Sequence, residues 1–145
     1  MAIEFNSKSK AYSEFSNFHV SPFVIDGIEW QTVEHYFQAQ KFPDDPLQDS
    51  IRLAKTPGLA KKFGRTRSES FVVNWDQIKE DVMYTGLQAK FTQNPDLKDL
   101  LINTGDATLI EKSSWDSYWG IGKGNGKNRM GHLLMQLRDN LNNWH

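Results

Sequence analysis

The sequence predicts an α+β fold, predominantly helical with a small β-hairpin, built as a single domain over residues 1–145. Three observations predict it. A chain of 145 residues, 38% hydrophobic and 24% charged, has the length of one globular domain and enough apolar mass for its own core. A hairpin signal and one further strand are the only extended segments, and the other patterned stretches repeat at helical spacing. Capping residues and prolines punctuate those stretches at short intervals, which suits several helices in succession.

The elements follow in order. "FHVSPFVIDGIEW" holds apolar runs on either side of Asp26-Gly27, a strong two-residue hairpin signal, with strands at Phe23–Ile25 and Ile28–Trp30. Thr32 is an N-cap for a helix through "VEHYFQAQKF" that runs to Pro43. "DDPLQDSIRLAK" reads as a second short helix. In "TPGLAKKFG", Thr56 caps, Pro57 takes the first helical position and Gly64 ends the segment. From Asn74 to Phe91 the period is helical, with Trp75, Ile78, Val82, Gly86 and Ala89 on one face. "PDLKDLLINTG" is a short helix closed by Gly105, and "ATLIEKS" reads as a strand. A glycine-rich loop follows. The last helix carries a core stripe of Met130, Leu133, Leu134, Leu137 and Leu141.

Composition narrows the function classes. The net charge of −1 gives no general pull toward nucleic acid, although a local basic pocket can still hold a phosphate. No cysteine is present, which excludes disulfides, thiolate metal sites and cysteine nucleophiles. The N-terminal stretch has no apolar signal core, and no apolar run reaches membrane-spanning length, so a cytoplasmic protein without a membrane partner is expected. Five Trp and nine Phe are many for this length; flat rings suit a core and also stack on bases.

Several stretches can carry chemistry. "SYWGIGKGNGKNRMGHLLM" places Gly120, Gly122, Gly124 and Gly126 at alternate positions before a helix. It matches neither the dinucleotide fingerprint nor the Walker A pattern, because no trio has G-x-G-x-x-G spacing and Gly126-Lys127 precedes Asn128. Two readings stay open: a turn between strand and helix, or a loop whose amides, with the helix start near Asn128, face a phosphate. On the helix after Thr32, Glu34, Gln38 and Lys41 fall on one stripe at about 100° per residue. They form either a solvated ladder or an acid, an amide and an amine facing one ligand. Lys79 and Lys90 fall in the apolar arc of the helix from Trp75, where a lysine either snorkels or points into a pocket that lowers its pKa. "LIEKSSWDSYWG" brings Glu111, Asp116, Trp115 and Trp119 next to the glycine loop, either as core or as contacts to a sugar or base. His19, His35, His132 and His145 have no metal-ligand spacing, and no G-x-S-x-G elbow is present. No metal and no cofactor are expected.

Four segments in order, "EFSNFHVSPFVIDGIEWQTVEHYFQAQKF", "TPGLAKKFGR", "NWDQIKEDVMYTGLQAKF" and "LINTGDATLIEKSSWDSYWGIGKGNGKNRMGHLLMQLR", resemble the consecutive motifs of the NADAR superfamily. The resemblance spans about Phe15 to Leu137. It implies an α+β fold and hydrolysis of an N-glycosidic bond. Its N-glycosidase members cleave the ribosylamino bond of phosphorylated pyrimidine intermediates of riboflavin synthesis, and other members remove ADP-ribose from guanine bases in nucleic acid. The partner implied is therefore a small ribose-phosphate substrate or an ADP-ribosylated guanine. A non-catalytic nucleotide-binding module is the competing class. By motif, Glu34 of "EHYFQAQK" is the implied catalytic acid, Asp116 and Lys41 join it, and Trp75 and Trp119 are functional positions. Gln38, Gly120, Gly122, Asn128 and Arg65 complete the expected substrate contacts. The phosphate is expected either at the glycine loop with Lys123, Lys127 and Arg129, or at Arg65 and Arg67.

Overall fold

The computed structural model describes residues 1–143, so His145 lies outside the described residues. In chain order the elements are β1 (Ala2–Phe5), a 3-10 turn (Ser13–Phe15), β2 (Phe23–Ile25), β3 (Ile28–Trp30), α1 (Val33–Ala39), α2 (Leu47–Arg52), α3 (Pro57–Phe63), α4 (Trp75–Gln93), α5 (Pro95–Ile102), β4 (Thr108–Glu111) and α6 (Arg129–Asn142). They form two compact units. One is the uninterrupted middle of the chain, Val20–Gln93; the other joins Met1–His19 to the chain from Asn94 onward.

In the middle unit the hairpin forms at the expected residues. Asp26 and Gly27 both take positive φ, 51° and 78°, the conformation that a two-residue hairpin turn of the primed type requires. Phe23 then pairs with Trp30, and Ile25 with Ile28, in an antiparallel ladder. The Gln93 amide, at the end of α4, closes the outer edge of β2: Val24 donates its N–H to Gln93 Oε1 and accepts from Nε2, both at 2.8 Å.

Thr32 caps α1 as expected, its hydroxyl oxygen accepting from the His35 N–H at 3.1 Å. All seven residues of α1 are buried, including Glu34, His35 and Gln38. Helices α2, α3 and α4 all pack on it, so α1 is the central helix of this unit with no solvated face. It ends at Ala39, short of the expected Pro43. Lys41 and Phe42 instead donate to Gln38 and Ala39, three residues back, and the chain tightens before the proline.

The buried face of α4 differs from the expected one. Trp75, Met83, Gly86, Leu87, Lys90 and Phe91 are buried, while Ile78, Val82 and Ala89 are half-buried. Gly86 sets this rotation. A Cβ there would lie 3.1 Å from Val33 Cγ1 and 3.2 Å from Tyr36 Cδ2, so α1 and α4 approach most closely where α4 has no side chain.

In the other unit, β1 pairs in parallel with β4, Ile3 opposite Leu109 and Phe5 opposite Glu111. The β1 strand is not expected from the sequence, because "AIEF" is short and no turn signal precedes it. Helix α6 presents its expected stripe: Met130, Leu133, Leu134, Leu137 and Leu141 are all buried. It packs on β4 through Gly131, where a Cβ would collide with the Leu109 carbonyl oxygen. The buried Arg138 guanidinium ties α6 to the segment before β4, donating from Nη1 to Thr104 Oγ1 at 2.9 Å and to the Ala107 carbonyl at 2.8 Å. No helix among the described residues is long and apolar enough to cross a membrane.

Candidate active site

Glu34 and Gln38 sit where the cap and period of α1 put them, one turn apart on the helix, and Lys41 lies on the turn beyond its end. Glu34 and Gln38 are 3% and 5% exposed, which rules out the solvated ladder. The Gln38 Nε2 donates to Glu34 Oε2 at 2.7 Å. A carboxylate only accepts, so the amide must turn its NH₂ to Glu34 and its oxygen away. That donor favours the ionised carboxylate inside the fold.

Lys41 follows on the tight turn after α1 and is half-buried. Its ammonium lies 5.9 Å from the centroid of the Phe37 ring and 5.8 Å from that of Trp75, two rings that pack on each other at 5.0 Å. Burial pulls the Lys41 ammonium below the usual lysine range. The Glu34 carboxylate opposes that shift, and the positive charges of Arg65 and Lys61 add to it.

The chain that leaves α3 borders this group. Gly64, Arg65, Thr66, Arg67, Ser68 and Phe71 line a cavity of about 480 Å³, a volume suited to a small ligand. Two arginines and the Thr66 hydroxyl give it donors for a phosphate. Its rim is pinned on both sides. Ser68 Oγ donates to Asp45 Oδ2 at 3.2 Å, Val72 N–H donates to the Lys41 carbonyl at 2.9 Å, and the Phe71 ring packs edge-on against Phe42 at 5.9 Å.

The middle unit thus brings together five of the expected residues: Glu34, Gln38, Lys41, Trp75 and Arg65. Trp75 is a wall rather than an open platform, since it is 9% exposed and packed on Phe37. Of the two ambiguous lysines, Lys79 is half-buried and pairs with Asp76 at 3.4 Å. Lys90 has no exposed surface, so it does not snorkel; its ammonium lies 5.2 Å from the Phe91 ring centroid. Phe37, Lys61 and Gly64 were not singled out as site residues. Phe37 was legible as a neighbour of the stripe, but the other two enter only because α3 folds back onto α1.

The other five expected residues, Asp116, Trp119, Gly120, Gly122 and Asn128, lie in and around the glycine loop of the other unit, which joins Met1–His19 to the chain from Asn94 onward. Five of the loop's N–H groups are taken by its own carbonyls: Gly122 donates to Asp116, Gly124 and Gly126 both to Ile121, Lys127 to Ser117, and Asn128 to Gly120. The first amides of α6 are taken too, Arg129 donating to Tyr118 and Met130 to Trp119. The glycines serve this knot. Gly122 and Gly124 have φ of 55° and 123°, and a Cβ on Gly126 would lie 2.6 Å from the Gly120 carbonyl oxygen.

Asp116 organises the same loop, its Oδ1 accepting from the Tyr118 and Trp119 N–H groups at 3.0 and 2.8 Å. The buried Asn128 clasps β4, with Oδ1 accepting from Glu111 N–H and Nδ2 donating to the Leu109 carbonyl, both at 2.9 Å. Both side chains thus hold local architecture, Asp116 within the loop and Asn128 on β4. Trp119 is half-buried and packs edge-on against Tyr118, whereas Trp115 is 72% exposed. Among the described residues, no three His, Asp or Glu side chains gather as metal ligands.

Comparison with known proteins adds what geometry leaves open. The profile of the NADAR domain matches residues 4–142. N-glycosidase YbiA of Escherichia coli is 48% identical over 140 residues, which span 96% of this chain and 88% of that protein. The NMR structure of E. coli YbiA superposes with a TM-score of 0.89 at 47% identity, covering 98% of this chain and 85% of that one. The chloroplastic riboflavin biosynthesis protein PYRR of Zea mays is 40% identical over 157 residues, 96% of this chain but 25% of that protein.

Proposed function

The chain belongs to the NADAR family, and on that premise we propose that it is an N-glycosidase that hydrolyses the ribose C1′–N bond of phosphorylated ribosylaminopyrimidine intermediates of riboflavin synthesis. One observation carries the assignment to these residues: a buried carboxylate that accepts from a buried amide acts electrostatically on a half-buried lysine, whose neighbour Arg65 lines an arginine-bearing cavity.

In this reading Arg65 and Arg67 hold the substrate phosphate, with the Thr66 hydroxyl as a further donor. Cleavage sends the electrons of the C1′–N bond to the departing nitrogen and leaves positive charge on the ribose, an oxocarbenium-like state. Glu34 stabilises that charge and takes a proton from the water that adds to C1′, while the departing amine gains a proton. The products are ribose phosphate and the free aminopyrimidine. A preorganised contact of this kind is worth on the order of 10²–10³ in rate. Glu34→Gln is therefore expected to slow release of the pyrimidine by roughly 10²-fold or more with the thermal midpoint held. A folded Glu34→Gln protein with the full rate would overturn the assignment. The same assay on DNA bearing ADP-ribosylated guanine tests the alternative substrate, which would release guanine-containing DNA and ADP-ribose. A chain that binds either compound without cleaving it would be a binding module. We place the enzyme in the cytoplasm, with the biosynthetic steps that make its substrate.

The depressed Lys41 ammonium favours a second route for the same reaction. A neutral Lys41 amine can attack C1′ of the opened ribosylamine, expel the aminopyrimidine and form an imine that water then hydrolyses. Borohydride added during turnover separates the routes. A ribose phosphate adduct on Lys41 supports the covalent one, and turnover without any lysine adduct supports direct hydrolysis.

A further inference from the structure

Gln38 is held by something other than its hydrogen bonds. Its Nε2 reaches Glu34, but its Oε1 is buried and has no hydrogen-bond partner. Rotating the amide would turn the oxygen onto the Glu34 carboxylate, so the orphaned oxygen follows from the donor's task. That oxygen lies against the Cα of Gly64. A Cβ built on Gly64 would overlap Gln38 Oε1 outright, lie 2.7 Å from Cδ and 3.2 Å from Cβ.

Gly64 has φ −64° and ψ −12°, ordinary helical values that any residue adopts. Backbone conformation therefore does not demand glycine there. Nor does the cap, since the Gly64 N–H closes α3 on the Ala60 carbonyl at 3.0 Å and an alanine would do the same. The close approach to Gln38 is what excludes a side chain.

Resting on the reading of Glu34 as the hydrolytic carboxylate, we propose that Gly64 is a positioning residue: its missing side chain leaves the space in which Gln38 turns its amide to Glu34 and aims that carboxylate. A methyl group at position 64 pushes the Gln38 amide out of this space. Glu34 then loses this donor, and loss of a donor to a carboxylate favours its protonated form.

The test is a cycle of wild type, Gly64→Ala, Gln38→Ala and the double variant, assayed for pyrimidine release across pH with Glu34→Gln alongside. Gly64→Ala is expected to lower kcat by about tenfold or more, the scale of one hydrogen bond to a charged group, with KM little changed. The acid limb of its kcat/KM profile moves to higher pH while its thermal midpoint stays near that of wild type. Gln38→Ala shows the same two changes. The double variant is no slower than Gln38→Ala, because Gly64 acts only through Gln38. A wild-type acid limb in folded Gly64→Ala, or additive losses in the double variant, would overturn the proposal. Should Gly64→Ala not fold, Gln38→Leu fills the same space without a donor, and an unshifted acid limb there overturns it equally. The two readings fail separately. Full activity in Glu34→Gln sinks the carboxylate assignment, whereas an inactive Glu34→Gln beside an unimpaired Gly64→Ala sinks only the positioning role.

Discussion

Lys41 shows how one side chain can hold two opposed influences. The Glu34 carboxylate and the faces of Phe37 and Trp75 favour its charged form, while burial and the cations at Arg65 and Lys61 favour the neutral amine. Burial and the cations win, so the pKa lies below that of a free lysine. The sign gives a prediction that does not depend on catalysis. Removing the Arg65 charge relieves part of the lowering, so Arg65→Gln raises the Lys41 pKa toward its ordinary value. Labelling of Lys41 by an amine-reactive reagent, read by mass spectrometry across pH, should therefore have a higher midpoint in Arg65→Gln than in wild type. An equal or lower midpoint would show that Arg65 does not act on Lys41. If Arg65 also holds the substrate phosphate, the same variant raises KM.

Elements depend on side chains of the opposite kind, polar groups wholly spent on the backbone. Asn128 stands in the left-handed region at φ 52° just before α6, and its amide meets a donor and an acceptor on β4. Asn tolerates that conformation better than most residues and can reach both groups. Asn128→Ala leaves two buried backbone groups on β4 without this partner and adds strain, and each such orphan costs about 1–3 kcal/mol. We expect a clear drop in thermal midpoint with KM unchanged in the protein that remains folded. A raised KM at an unchanged midpoint would instead restore the ligand role that the sequence suggested. The glycine loop teaches the same lesson. Its spacing left open a turn or a backbone that faces a phosphate, and the structure shows Gly122 and Gly126 in close packing within the loop. Gly122, Gly124, Gly126, Lys127 and Asn128 all donate to carbonyls of the loop itself, and Arg129 and Met130 at the start of α6 do the same.

For the whole molecule, chain order and titration both set stability. The unit that contains β1 and β4 needs two stretches of chain separated by all of Val20–Gln93. Folding of that middle segment shortens the loop which the β1–β4 pairing must close, and closure entropy grows with loop length. Unfolding followed by heat should therefore show loss of the middle unit accompanied by loss of the β1–β4 pairing. A β1–β4 signal that survives melting of the middle unit would contradict this.

His35 adds a pH term to that stability. It is fully buried, with Nε2 3.0 Å from the Ala54 carbonyl and Nδ1 2.7 Å from Thr32 Oγ1. A carbonyl only accepts, so Nε2 carries the proton, and Nδ1 accepts from the threonine hydroxyl. Burial lowers the His35 pKa against the smaller opposing effect of the Ala54 bond. The unfolded chain takes a proton near the ordinary value of about 6.5 and the folded chain only at lower pH, so the unfolded state binds more protons in between. Stability thus falls as the pH drops from about 6.5 toward the folded-state value and levels off below it. Urea midpoints between pH 8 and pH 5 should show this decline, and it should be shallower in His35→Asn. Equal slopes in the two proteins would remove His35 from the account.

Local chemistry made much of this fold legible. Asp26-Gly27, Thr32, Thr56-Pro57 and the α6 stripe act within a few residues of themselves, and each formed at its expected place. The alignment of Glu34 with Gln38 was also readable, because helical spacing alone sets it, whereas Lys41 lies on the tightened turn beyond α1. Whether that pair faced water or the interior was not readable, since the answer lies in α2, α3 and α4, which pack on α1 from elsewhere in the chain. For the same reason the four-residue β1 was invisible without β4, and the buried face of α4 was misjudged without the Gly86 contact. Gly64 read only as a helix end; its contact with Gln38 exists because α3 returns to α1. Short-range sterics and hydrogen bonding settle where elements begin and end, and they are written in adjacent residues. Burial, pKa and the aim of a carboxylate depend on residues that only folding brings near.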